Sequence, residues 1–217
     1  MLKEGPVETH LEAIWRILFV FALLNPGIGY VQGMNEIVAV LYHAFYTDYE
    51  GSALESLELD IEADTFFCFH ELMTELRDRF SKTHDGSKTG IVARVEHFWS
   101  AMKTLDYEIW LKFEHEGIKP HFFAIRWFLV LLAQELSLEQ TAELWDVLLA
   151  DPFRFDYLNY LGAAILKMKK EEIMKQDSGG CLYMFQNLGK LNISRLRKET
   201  NKLLQLKKKY RQFLLLC

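Results

Sequence analysis

The sequence predicts an all-α fold, a multi-helix domain with no significant β-sheet. Apolar residues recur at helical spacing along almost the whole chain, whereas few stretches combine strict alternation with β-branched residues. Half of the 217 residues are apolar, which is enough to bury a substantial core in one large domain or two subdomains. We therefore expect helices that pack on one another and are separated by short breaks.

Three helices are predicted in the first part of the chain. Thr9 to Glu12 has the pattern of a capping box, and Pro26 ends the helix that follows it. Acidic residues dominate the linker at residues 47–60, and glycines mark a loop at residues 81–90. The predicted helices lie at about residues 9–25, 34–46 and 62–80.

Six further helices are predicted in the rest of the chain. Gly117 breaks the pattern, Pro120 suits a first helical turn, and Pro152 ends the helix before it. Residues 178–180 (SGG) are interpreted as the break between the last two long helices. The predicted helices lie at about residues 91–105, 107–115, 120–136, 137–150, 155–175 and 191–213.

A glycine-rich turn at residues 27–33 presents one uncharged amide side chain, that of Gln32. A glutamine held in this way can position a water molecule, and in GTP hydrolysis such a glutamine orients the attacking water. The glycine spacing is close to a dinucleotide-binding fingerprint, but that motif must follow a strand and this turn follows a predicted helix. From the residues alone, a plain helix-turn-helix corner with a surface glutamine fits the pattern as well.

Residues 29–35 (GYVQGMN) resemble the Y-x-Q motif of TBC-domain proteins, a family of Rab GTPase-activating proteins. Residues 63–73 resemble the acidic and aromatic helix that follows the motif in that family. Residues 118–127 and 143–149 resemble its later Pro-Phe-Trp and Trp-Asp helices. The order and spacing match from about residue 10 to about residue 160.

The resemblance implies that residues 1–217 form a partial TBC domain, with residues 191–217 as a basic C-terminal helix or tail. Gln32 is then the catalytic residue, supplied in trans to the nucleotide of a GTP-bound Rab, while Tyr30 and Asn35 contact that partner. The chain would be an enzyme regulator in vesicle trafficking, with no nucleotide site, metal or cofactor of its own.

Two further motifs of the family do not occur upstream of Gln32. Family members carry an R-x-x-x-W segment and an I-x-x-D-x-x-R segment, whose arginine neutralises charge on the transferring phosphate. An arginine finger of this kind is worth roughly 10³ to 10⁵ in rate. Two stretches that begin at Ile61 and Leu148 partly match the I-x-x-D-x-x-R pattern, and both matches are interpreted as coincidental. Arg16 is expected to face solvent or to pair with an acidic residue. The sequence thus indicates either part of a GTPase activator or a relative that binds Rabs, or another helical partner, without efficient catalysis.

The distribution of charge limits the kinds of partner that this chain can bind. The formal charge is −5, and residues 191–217 hold eight of the 25 basic residues but one of the 30 acidic ones. The rest of the chain therefore carries a formal charge of −12, which disfavours binding to nucleic acid.

The three cysteines are scattered along the sequence, which favours a protein of the reducing cytosol. The sequence has no predicted membrane span, so we expect a cytoplasmic protein that reaches endomembranes peripherally or through a lipid-anchored Rab. The basic tail is interpreted as a solvated helix, and the alternatives are a helix that lies on an anionic membrane or one that crosses another helix.

Overall fold

The computed structural model describes residues 7–48, 58–80, 90–151 and 154–216. Within these residues every regular element is a helix, which confirms the all-α prediction. The helices are α1 (Val7–Leu24), α2 (Met34–Asp48), α3 (Glu58–Phe80), α4 (Ile91–Leu105), α5 (Tyr107–Glu116), α6 (His121–Leu129), α7 (Leu138–Ala150), α8 (Arg154–Met168), α9 (Lys170–Lys175), α10 (Ser178–Gln186) and α11 (Ile193–Leu216). Most of the predicted linker at 47–60, nearly all of the loop at 81–90, and Cys217 lie outside the described residues.

Two helices begin earlier than predicted, α1 at Val7 instead of at the capping box of Thr9, and α3 at Glu58 instead of residue 62. Three further predicted boundaries are wrong. The helix expected at 120–136 ends at Leu129 and gives way to a bend, and the one expected at 155–175 is divided at Lys169 into α8 and α9. The glycines at 179 and 180 do not break the chain but lie in the first turn of α10. Their helix begins there because the Asp177 side chain accepts a hydrogen bond from the Gly180 amide at 2.8 Å.

Helices α1, α2 and α3 pack on one another through their apolar faces. Phe21 of α1 meets Phe69 of α3 edge to face, with ring centroids 4.9 Å apart, and both side chains are buried. At the surface of the same contact, Arg16 donates two hydrogen bonds to Glu62. Arg16 therefore pairs with an acid, as predicted, and the pair joins α1 to α3.

An aromatic cluster formed by α5, α6 and α10 lies in the core of the second half. Phe113, Phe123, Trp127 and Phe185 are each at most 1% exposed. The rings of Phe123 and Phe185 lie 4.5 Å apart, and the Trp127 indole donates a hydrogen bond to the Phe185 carbonyl at 3.2 Å. The prediction that Trp127 and Trp145 are core residues is confirmed, since Trp145 is 3% exposed.

The two halves meet where α2 packs against α7 and α3 packs against α4, while within the second half α8 packs against α4, α7 and α11. The contact between α2 and α7 brings the start of α2 close to the bend that follows α6. This bend and the turn before α2 are the two segments from which the candidate site is built.

Candidate functional site

The turn between α1 and α2 is closed by its own backbone. After α1 ends, the Asn25 carbonyl accepts hydrogen bonds from the amides of Ile28 at 3.0 Å and Gly29 at 2.8 Å. Gly29 has φ of +65° and Gly33 has φ of +102°, conformations that favour glycine. The two glycines thus let the chain reverse on either side of Gln32.

Gln32 lies at the surface of this turn with its side chain exposed. Within the described part of the chain, no hydrogen bond holds that side chain. The amide is therefore open to another molecule, which is the condition that its predicted role requires. Its neighbours Val31 and Gly33 are, by contrast, half-buried and buried.

Asn35 holds the turn together from its C-terminal side. Its side-chain oxygen accepts hydrogen bonds from the Tyr30 hydroxyl at 3.1 Å and from the Gly33 amide at 3.3 Å. Tyr30 is 51% exposed, whereas Asn35 is half-buried. The structure thus brings the three predicted site residues together and gives Asn35 an internal partner on each side of Gln32.

Gly33 makes close contact with the bend that follows α6. A Cβ atom added at Gly33 would lie 2.7 Å from Val130 Cγ1, which is closer than real Cβ contacts. Glycine is therefore needed at position 33 for two reasons, the positive φ and the close approach of Val130. The contact connects the turn to the core, because Val130 is 2% exposed.

The bend itself contains two buried leucines in the left-handed region, Leu131 with φ of 52° and Leu132 with φ of 65°. Leucine rarely adopts this conformation, which costs roughly 1–2 kcal/mol per residue. Hydrogen bonds hold the bend in place, from the Trp145 indole to the Leu131 carbonyl at 2.9 Å and from the Leu132 amide to the Trp127 carbonyl at 2.8 Å.

Glu135, at the end of the bend, carries a buried carboxylate paired with Arg126. The two side chains form a two-point ion pair at 2.5 and 2.8 Å, and the Glu135 side chain is 0% exposed. Burial raises the pKa of Glu135, and its hydrogen bonds to Arg126 oppose that rise. Arg126 is therefore committed to a structural partner.

Two residues near the turn were not predicted from the sequence. Gln134, in the bend, donates a hydrogen bond to the Glu36 carboxylate at 3.3 Å, across 98 residues of sequence. Glu36 also accepts from the Asn35 side chain at 3.1 Å. The glutamate in the first turn of a helix was visible in the sequence, but nothing local in the sequence points to Gln134 as its partner.

The described helices include none that is long and apolar enough to span a bilayer.

Comparison with known proteins shows what this chain is similar to in sequence and in fold. A sequence model of the Rab-GTPase-TBC domain matches residues 4–174. The chain is 47% identical over 170 residues to TBC1 domain family member 13 of Homo sapiens, an alignment that covers 78% of this chain and 42% of the relative. It is 31% identical over 188 residues to human TBC1 domain family member 22B, covering 82% of this chain and 36% of the relative. The chain thus spans less than half the length of these two relatives.

Solved structures show the same fold. The Ypt/Rab-GAP domain of Gyp1p superposes with a TM-score of 0.81 over 92% of this chain and 66% of that one, at 23% identity. A Chlamydomonas flagellar RabGAP TBC domain superposes with a TM-score of 0.64 at 19% identity, over 92% of this chain and 59% of that one. Together with the sequence match to residues 4–174, these similarities show that the chain belongs to the Rab-GTPase-TBC domain family, whose activity at the family level is the activation of Rab GTPases.

Proposed function

We propose that this chain acts on a GTP-bound Rab and that Gln32 orients the water that attacks the γ-phosphate. The observation that carries the proposal is the geometry of the turn, in which Gln32 is exposed while Tyr30 and Gly33, on either side of it, both donate hydrogen bonds to Asn35. A side chain that positions water needs a fixed backbone and a free amide, because misplacement by about 1 Å can reduce rate by roughly 100-fold. The nucleotide belongs to the partner, and no nucleotide site on this chain enters the proposal.

Tyr30 is the proposed partner contact beside Gln32. Its ring is half-exposed, while its hydroxyl is anchored to Asn35 at 3.1 Å. An aromatic ring fixed at one end offers apolar contact area with little loss of conformational entropy on binding. Asn35 would then serve the interface indirectly, by holding Tyr30 and the Gly33 amide.

A second candidate function is Rab binding without efficient catalysis. The observation that favours it concerns positive charge: Arg16 is paired with Glu62, and Arg126 is paired with Glu135. Both guanidiniums are therefore already paired with carboxylates, and an arginine that neutralises charge on the transferring phosphate is worth roughly 10³ to 10⁵ in rate. Binding and catalysis must therefore be measured separately.

The test is GTP hydrolysis by a panel of purified, GTP-loaded Rabs with the wild-type chain and with Gln32→Ala. We expect acceleration of at least one Rab, and a reduction of roughly 10- to 100-fold in that acceleration for the variant. Gln205→Ala serves as the matched control because Gln205 is an exposed glutamine on α11.

Binding of the same Rabs in their GTP and GDP forms distinguishes the two candidates. Binding that favours the GTP form without any acceleration would support the non-catalytic candidate and contradict the catalytic one. If Gln32→Ala accelerated GTP hydrolysis by the Rab as much as the wild type does, the proposed role of Gln32 would be wrong.

A further inference from the structure

We infer that Gln134 is a positioning residue, which orders the turn that carries Gln32 although it lies 98 residues from Glu36, its partner beside that turn. The consequence for hydrolysis rests on the proposed function, whereas the ordering of the turn does not. The inference follows from one continuous series of hydrogen bonds and from the rigidity of the segment in which the series begins.

The series begins at the Gln134 amide group, which donates to Glu36 Oε1 at 3.3 Å. The same oxygen accepts a hydrogen bond from Asn35 Nδ2 at 3.1 Å. Both donors are neutral and the acceptor is a carboxylate, so each bond is charge-assisted. Gln134 thereby restricts where the Glu36 carboxylate can lie.

Glu36 in turn determines which way the Asn35 amide faces. With its NH₂ group directed at Glu36, Asn35 presents its oxygen to two donors, the Tyr30 hydroxyl and the Gly33 amide. In the opposite orientation, the Asn35 NH₂ group would face the Gly33 N–H and that pairing would be lost. The Gly33 contact therefore depends on the Glu36 carboxylate, whereas the Tyr30 hydroxyl can pair with either end of the Asn35 amide.

The bend gives the series a rigid origin. Both neighbours of Gln134 in sequence, Ala133 and Glu135, are buried, and the Glu135 amide donates to the Leu132 carbonyl at 3.0 Å. Val130, in the same bend, contacts Gly33 directly. Gln134 therefore reaches the turn from a backbone that is already fixed in the core.

The first measurement needs no GTPase. Amide hydrogen exchange is followed by mass spectrometry in the free chain, comparing peptides that cover residues 25–35 with peptides from α10. For Gln134→Ala we expect exchange in the turn to be at least 3-fold faster and exchange in α10 to be unchanged. Gln134→Lys, which retains a donor for Glu36, is expected to restore the wild-type rate, and Gln205→Ala is expected to have no effect.

The second measurement uses the Rab that responds best to the wild-type chain. Gln134→Ala should reduce kcat by about 3- to 10-fold with KM nearly unchanged, because the Gly33 amide beside Gln32 loses its partner while the Tyr30 hydroxyl can still pair with Asn35. In a Glu36→Ala background, Gln134→Ala should have no further effect, since both act through the same carboxylate.

The outcomes separate the inference from the proposed function. If the wild type accelerates no Rab, the catalytic proposal fails, and the exchange data alone then decide whether Gln134 orders the turn. Unchanged exchange in Gln134→Ala would overturn the inference. Faster exchange with unchanged kcat would overturn the positioning role, and a lower kcat with unchanged exchange would instead assign Gln134 a direct contact with the partner.

Discussion

Trp127 and Trp15 occupy opposite environments although both lie in apolar helices. Trp127 is 0% exposed, packs against Phe123 and Phe185, and donates its indole N–H to a carbonyl. Trp15 is 63% exposed and stacks on Phe19, which is itself 49% exposed. Leu11 and Leu23 continue the same outer face of α1, at 62% and 63% exposed. We call these four residues the outer face of α1.

This difference teaches that helical spacing identifies apolar faces without saying which of them is covered. Helix α1 is apolar on two sides, and its inner side packs through Ile17 and Phe21 against neighbouring helices. Contiguous apolar side chains on a surface commonly mark contact sites, whereas single ones need no explanation. The following predictions test how far the two environments differ in their contribution to stability.

The largest effect is expected for Trp127→Ala. Removing a buried tryptophan leaves a cavity among packed rings and should lower the free energy of unfolding by about 3–5 kcal/mol. Urea denaturation followed by circular dichroism measures the change. A loss below about 1 kcal/mol would show that the aromatic cluster is much looser than its contacts indicate.

Arg126→Met tests the polar edge of the same cluster. The variant leaves the buried Glu135 carboxylate without its counter-ion, and we expect a loss of about 2–3 kcal/mol near neutral pH. This is below the value for a fully buried pair because the Arg126 side chain is 37% exposed. Denaturation at a series of pH values measures it.

The pH dependence of that loss has a defined sign. Burial raises the pKa of Glu135 above its ordinary value of 4.5, and removal of Arg126 should raise the pKa further. The folded variant then binds a proton that the unfolded chain has released, so its stability falls as pH rises through this window. The difference from wild type should therefore shrink on acidification towards pH 4.5. A pH-independent difference would contradict this assignment.

The smallest effect is expected for Trp15→Ala. Its free energy of unfolding should lie within about 0.5 kcal/mol of the wild-type value, because the ring is largely in water. Fluorescence of a dye that binds apolar surface should nevertheless fall. Tyr183→Ala is the matched control, since Tyr183 is 71% exposed on α10 and lies outside the outer face of α1. A loss above about 2 kcal/mol in Trp15→Ala would mean that this face is covered in solution.

Much of the fold could be predicted because its breaks have local causes. Pro26 follows the end of α1, Gly117 caps α5 with φ of 68°, and the Ser137 side chain caps α7. The bend after α6 could not be predicted in this way. Residues 130–136 contain neither glycine nor proline, and Leu131 and Leu132 adopt positive φ through tertiary contacts that override their local preference.

The candidate site also contains one part with a local cause in the sequence and another part that depends on tertiary contacts. The exposed position of Gln32 in a turn was predictable because glycines and a proline surround it within a few residues of sequence. Gln134 was not, because its relation to Glu36 arises only when α7 and the bend pack against the start of α2. The contact between Gly33 and Val130 is equally non-local. Sequence patterns thus predict the turn that exposes Gln32, and the folded structure is needed to identify the residues that contact this turn.

The left-handed leucines also limit how this protein can be engineered. Replacing Leu131 or Leu132 by glycine would relieve roughly 1–2 kcal/mol of backbone strain, yet each side chain is 0% exposed. Truncating a buried leucine costs about 2–5 kcal/mol of stability, which exceeds the backbone strain that glycine would relieve. Stepwise searches for thermostable variants should therefore leave both positions untouched, and gains there require coordinated repacking of several neighbours.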